Sequence, residues 1–178
     1  MPTHVIILNG GSSAGKSRLA RCLQDVLVRE WLTFGADTLV EALPARLRSS
    51  AGGIGFAPGG EVATGDAFQR MDVAWSVGVA AIARAGVPVI VDEVFLGGPA
   101  SQARWRAALT GLATLWVGVR CDPDVAAARE AARGDRPTGM ARTQAAAVHR
   151  GVLYDVEVDT THTDAAGCAR TIATHVID

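Results

Sequence analysis

Lysine is almost missing from this chain: of its 17 basic residues, only Lys16 is not arginine. The acidic side nearly matches, with 18 Asp and Glu, so the net charge is −1 and no basic footprint for nucleic acid or an anionic membrane stands out. The expected partner is a small molecule. Cysteine is scarce too. Cys22, Cys121 and Cys168 are far apart, odd in number and without a C-x-x-C pair, which disfavours a disulfide framework or a zinc site. They read as small apolar fillers in a reducing compartment. His4, His149, His162 and His175 have no metal-ligand spacing and read as surface or structural residues. There is no apolar run of membrane-spanning length, no signal-peptide pattern, no internal repeat and no N-K-x-D guanine motif. The expectation is a soluble, cytoplasmic protein. Its 178 residues, 49% of them hydrophobic, suffice for one domain (1–178) with a real core.

Against these absences stands Gly10-Gly11-Ser12-Ser13-Ala14-Gly15-Lys16-Ser17, which satisfies G-x-x-x-x-G-K-[ST]. Val5-Ile6-Ile7-Leu8 before it suits a buried parallel strand, and Leu19, Cys22, Leu23, Val26 and Leu27 after it fall at helical spacing. Both flanks are what a phosphate-binding loop requires. Backbone N–H groups close around phosphate oxygens, Lys16 reaches the outer phosphates and Ser17 is placed to ligate Mg²⁺. The one surviving lysine sits where a compact ammonium fits and a planar guanidinium does not.

Along the chain, residues 31–36 read as a second strand, followed by Asp37 and a helix from Thr38 to about Leu47. Asp37 is either that helix's N-cap or a carboxylate facing the ligand crevice at the strand's carboxyl end. Residues 49–65, rich in glycine, read as a long irregular loop. Asp66 is a candidate cap for a helix reaching about Ala85, with Met71, Trp75, Val79 and Ile82 on one face, either in the core or lining a cleft. A third strand, 87–91, runs into Asp92-Glu93 in the manner of a Walker B element, with Asp92 placed to hold Mg²⁺ directly or through water, or to touch the acceptor. A helix from Pro99 to Leu109 and a fourth strand, 112–119, follow. Arg129, Arg133 and Arg136 then cluster around Gly134 and Pro137, as a small cationic lid over residues 129–140 or as a solvated basic face. A helix from Ala141 to His149, a fifth strand at 154–158 and a helix from Asp164 to Val176 complete the chain.

ILNGGSSAGKS, WLTFGADTLVEALP across Asp37, VIVDEVFLGG across Asp92, LWVGVRCD, REAARGDR and YDVEVDT together resemble the chloramphenicol phosphotransferases, P-loop small-molecule kinases of the adenylate-kinase-like branch. The resemblance covers nearly the whole chain. It implies an α/β P-loop NTPase fold with a five-stranded parallel sheet flanked by helices, and transfer of the γ-phosphoryl of ATP to a hydroxyl of the antibiotic. It also implies phosphate and Mg²⁺ ligands at Lys16 and Ser17, a general base at Asp37 and lid cations at Arg133 and Arg136. Glu93 departs from the family, which can show a second aspartate there.

The expected acceptor pocket lies between the Asp37 segment, the 49–65 loop and residues 94–98. Phe34, Trp75, Phe95 and Leu96 suit an apolar acceptor, and Asp92 is available to orient a second hydroxyl. An anionic acceptor, shikimate-like or nucleotide, calls instead for arginines such as Arg46, Arg48 and Arg70. Nucleoside or sugar alcohols stay open as acceptors. A P-loop ATPase or switch is the rival from another class, although it leaves Asp37 without a role.

Overall fold

The computed structural model describes residues 1–48, 50–57, 59–134 and 138–178. In chain order the elements are β1 (Val5–Asn9), α1 (Lys16–Val26), β2 (Leu32–Gly35), α2 (Ala36–Ala42), a 3₁₀ turn (Ala45–Leu47), β3 (Ile54–Phe56), β4 (Val62–Thr64) and α3 (Asp66–Arg84). There follow β5 (Val89–Glu93), α4 (Pro99–Ala108), β6 (Thr114–Arg120), α5 (Pro123–Arg133), α6 (Met140–Ala147), β7 (Val156–Asp159) and α7 (Ala165–Ala173). Five strands form one parallel sheet in the order β2-β5-β1-β6-β7. The fold is that of the P-loop kinases.

β1 is buried at every position because both its edges are paired, Val5 lying opposite Val89 on one side and Thr114 on the other. Its side chains alternate between the two faces of the sheet. Ile6 and Leu8 pack with Leu19, Leu23 and Ile172 of α1 and α7, while Val5 and Ile7 pack with Val79, Ala83 and Trp105 of α3 and α4. Helices therefore cover both faces, which is why the strands read as continuous apolar runs. Each large side chain buried this way contributes roughly 1.5–3 kcal/mol. The chain leaves β1 for one edge, returns through β5, then crosses to β6 and β7. That reversal puts a topological switch point at β1, where the crevice beyond the carboxyl ends of the strands takes ligands in such sheets.

The structure departs from the sequence expectations at several places. The helix expected to reach Leu47 stops at Ala42, because Pro44 disfavours helical backbone at Leu43 and only a 3₁₀ turn follows. The expected irregular loop contains an antiparallel hairpin, β3 with β4, whose three-residue strands are too short for their alternation to register. Gly65, not Asp66, is the N-cap of α3, and Asp66 sits inside the first turn where its charge meets the helix dipole. β5 runs two residues further than expected and holds both Asp92 and Glu93. Tyr154 precedes β7 instead of opening it. Among the described residues no helix is long and apolar enough to cross a membrane.

Candidate active site

The segment between β1 and α1 is shaped for an anion. Ser13 has φ 58 and Gly15 has φ 87, both left-handed, and such turns gather successive N–H groups into a concave nest. For serine this conformation costs about 1 kcal/mol or more, and the Ser13 hydroxyl is buried with no hydrogen-bond partner among the described residues. A Cβ on Gly10 would lie 2.6 Å from the Val119 carbonyl, and one on Gly11 would lie 3.2 Å from the backbone of Gln144 and Ala145. α1 begins after Gly15 with no side-chain cap and no acidic residue in its first turn, which leaves its N-terminal N–H groups for a ligand. The Ser12 N–H donates to Gln144 Oε1 at 2.8 Å. Ala14 is buried behind the loop, its carbonyl accepting from Thr160 Oγ1 at 2.8 Å.

Lys16 is almost fully buried. Its Nζ donates to the Gly11 carbonyl at 2.9 Å and lies 3.5 Å from Asp92 Oδ1. Ser17 Oγ donates to Asp92 Oδ2 at 2.6 Å. Register explains the meeting: β1 and β5 are neighbours with Leu8 opposite Asp92, so the loop leaving one strand runs over the end of the other. No cluster of three or more His, Cys, Asp or Glu suited to a metal occurs among the described residues. A hydroxyl and a carboxylate side by side are nonetheless the hard oxygen donors that Mg²⁺ uses when substrate phosphates complete its shell, so the residues fit that ion.

From this pair a cavity of about 580 Å³ runs past Asp37 to walls formed by Leu39, Val40, Ile54, Phe56, Val62 and Phe68. That volume suits a drug-sized molecule, and the apolar walls come largely from α2 and the β3–β4 hairpin. Asp37 is exposed, in the first turn of α2 just past the β2 residue, Gly35, that pairs with Asp92. Leu96 also lines the cavity. Phe34 and Trp75 do not: they pack edge to face, centroids 5.7 Å apart, along a separate shallow groove with Met71, Val79 and Ile82. Phe95 is fully buried in the core beneath Trp116. These three aromatic residues lie outside the cavity because Phe34 on β2, Trp75 on α3 and Phe95 just past β5 all pack into or against the core cluster that α3 and α4 form with the sheet.

The polar end of the cavity holds a cluster that no motif announced. Arg104 Nη2 of α4 meets Asp72 Oδ2 of α3 at 2.8 Å, and Ser101 and Glu93 line the wall beside them. Glu93 is buried, and burial, reinforced by the Asp72 charge and opposed by Arg104, pushes its carboxyl from 4.5 up to about 8. Burial likewise raises Asp72, with Arg104 pulling it back. Glu93 was legible only as the neighbour of Asp92; Asp72 and Arg104, on different helices, carried no signal in the sequence. Arg46, Arg48 and Arg70 do not line the cavity.

Asn9 ends β1 by tying three segments together: its Nδ2 donates to the Val148 carbonyl and to Tyr154 Oη, and its Oδ1 accepts from the Phe95 N–H at 2.8 Å. His149 Nδ1 shares a 2.7 Å hydrogen bond with Tyr154 Oη. Burial, with the charges of Arg120 and Lys16 adding to it, lowers His149 to about 4, so this histidine is a neutral, structural group.

The arginine stretch divides. Arg133, at the exposed end of α5, lines the cavity. Arg129 does not; it turns to the back of the phosphate loop, where Nη2 donates to the Thr160 carbonyl at 2.7 Å and Nη1 to Thr160 Oγ1 at 3.3 Å. Arg136 lies outside the described residues. Glu130, within the same stretch, is buried and accepts from the Gly139 and Ala141 N–H groups at 2.8 and 2.7 Å. It clamps the far end of the stretch to α5. The hairpin turn closes against this clamp: Gly60 has φ 85, and a Cβ there would lie 2.3 Å from Met140 N.

Comparison with known proteins accords with this geometry. A "Putative O-phosphotransferase" of Mycobacterium tuberculosis is 35% identical over 93% of this chain and 79% of its own length. An unliganded sugar kinase from Janibacter sp. HTCC2649 shares the fold with a TM-score of 0.68 at 15% identity, over 97% of this chain and 94% of that one. The shikimate kinase of Acinetobacter baumannii, in complex with shikimate, has a TM-score of 0.60 at 17% identity over 97% and 92%. The family model for chloramphenicol phosphotransferase-like proteins matches residues 3–177. From the phosphate loop to the last helix, this chain belongs to the chloramphenicol phosphotransferase-like family.

Proposed function

We propose that this protein is an ATP- and Mg²⁺-dependent O-phosphotransferase that phosphorylates a hydroxyl of a small molecule, with chloramphenicol the first acceptor to be tried. One observation carries the reading: the Ser17–Asp92 pair with Lys16 beside it stands at the mouth of a cavity that continues, past Asp37, into apolar walls. An ATPase or switch has no use for that second compartment.

In this reading the residue 10–17 loop and the N-terminus of α1 bind the phosphates, and Lys16 sets its ammonium against their outer oxygens. Ser17 and Asp92 hold the metal, which when bound offsets phosphate charge. Asp37 accepts a hydrogen bond from the acceptor hydroxyl, fixes its line of approach and takes its proton. Phosphoryl transfer is chiefly positioning and charge stabilisation, so orienting the hydroxyl is the larger part of that role. Arg133 brings a cation to the donor side and Arg136 is proposed to add a second, while Arg129 holds the loop from behind through Thr160. The apolar walls exclude water and seat the acceptor's body. A coupled ADP-release screen against chloramphenicol, shikimate, nucleosides and sugar alcohols, with mass spectrometry of products, tests this. Phosphorylated chloramphenicol supports the named acceptor; transfer only to another alcohol replaces it; ADP release without any phosphorylated product overturns the kinase reading.

A further inference from the structure

Among the described residues, the arginines lining the cavity are Arg18, Arg104 and Arg133. Arg18 follows Ser17 on α1 and Arg133 ends α5, so both belong to the phosphate side; Arg104, on α4, is at the acceptor end. An arginine there is the group that would hold a carboxylate or phosphate on an acceptor, through its planar fork. In this chain that fork is already engaged. Arg104 Nη2 is 2.8 Å from Asp72 Oδ2, both side chains are mostly buried, and the Arg104 Nε is buried with no hydrogen-bond partner among the described residues. An incoming anion therefore meets a guanidinium whose charge is already met by Asp72, and loses its water without compensation. A neutral acceptor carries no such charge to desolvate.

We propose that Asp72 is a specificity-determining residue: by pairing with Arg104 it leaves the acceptor end without an available cation among the described residues, so the site takes uncharged alcohols and excludes carboxylates. This rests on the kinase reading above for the identity of the acceptor end, and extends it by naming the pair that sorts acceptors by charge. Removing the Asp72 charge converts Arg104 into a carboxylate receptor. Glu93 lines the same wall, so the full conversion is sought with both acids replaced by their amides.

The test uses a matched pair of alcohols, 4-(hydroxymethyl)benzoate and its methyl ester, with dissociation constants from isothermal titration in the presence of a non-hydrolysable ATP analogue. The wild-type chain is expected to bind the ester at least about 10-fold more tightly than the acid. Asp72→Asn brings that ratio towards one, Asp72→Asn with Glu93→Gln inverts it, and adding Arg104→Met to the double variant abolishes the gain for the acid. Acid and ester binding the wild type equally, neither binding at all, or a ratio unmoved in folded variants each overturns the proposal. The wild-type ratio stands by itself if a variant does not fold. Failure of phosphoryl transfer to every alcohol, with the binding ratio intact, would sink the kinase reading and leave the charge selection standing.

Discussion

Replacing Glu93 by glutamine is expected to stabilise the protein, an unusual outcome for a residue in a candidate active site. Burial holds the carboxyl at about 8 against an ordinary 4.5, so between those values the folded chain must bind a proton that the unfolded chain has released. The sign follows from linkage. The folded-state value is raised, so the stability contribution is fully present below pH 4.5 and is lost as pH rises through 8. At about 1.4 kcal/mol per pH unit, the cost to the wild type is under ~1 kcal/mol at pH 5 and roughly 3 kcal/mol at pH 7. Glutamine is neutral throughout, and its carbonyl can accept from the Val94 N–H, which now donates to Glu93 Oε2 at 3.2 Å. Glu93→Gln should therefore match the wild type within about 1 kcal/mol at pH 5 and exceed it by up to roughly 3 kcal/mol at pH 7. Urea unfolding of both proteins at pH 5, 6, 7 and 8 measures this. Parallel pH profiles, or a variant less stable at pH 7, would refute the claim that Glu93 is buried as an acid.

Three further outcomes follow from the site. Lys16→Ala, removing the buried ammonium beside Asp92, should cut phosphoryl transfer by about 10²-fold or more, and full activity would remove the phosphate loop from the mechanism. Asp37→Asn should keep nucleotide affinity within about twofold while losing on the order of 10²–10⁴ in kcat, the usual worth of a general base; unchanged turnover would exclude Asp37 from proton transfer. Gly60→Ala, which drives a Cβ to 2.3 Å from Met140 N at a left-handed backbone position, should cost about 1–3 kcal/mol, visible as a lower Tm by scanning fluorimetry.

What the sequence made legible follows the range of the forces involved. The central strands β1, β5 and β6 were readable because strands buried on both faces are written as apolar runs, the partly buried edge strands β2 and β7 through their short stretches of strand-forming residues, and the phosphate loop because its glycines and Lys16 are contiguous. Asp37 and Asp92 were singled out because each comes at the carboxyl end of a strand, where ligands bind in such sheets. Asp72 and Arg104 were not, since their meeting depends on how α3 packs on α4, which no local pattern encodes. The β3–β4 hairpin was lost among glycines for a related reason: its strands are held by each other and by the fold around them, not by propensity. Phe34, Trp75 and Phe95 mark the opposite error. Aromatic character was read as pocket lining, when the same property puts Phe95 in the core and packs the half-buried Phe34 and Trp75 against it along a separate groove.

The closeness of Gly60 to Met140 has a kinetic meaning. The hairpin is a wall of the cavity, the acceptor compartment of the proposed reaction, and Met140 begins the helix whose N-terminal end Glu130 fastens to α5, the helix that brings Arg133 to the same cavity. With no side chain between them, the hairpin and the start of α6 share a seam. If the two shift as one body, filling either compartment changes the affinity of the other, and by reciprocity the factor is the same in both directions. The two substrates should accordingly bind with synergy, each lowering the other's dissociation constant, which steady-state initial-rate patterns with both substrates varied would display.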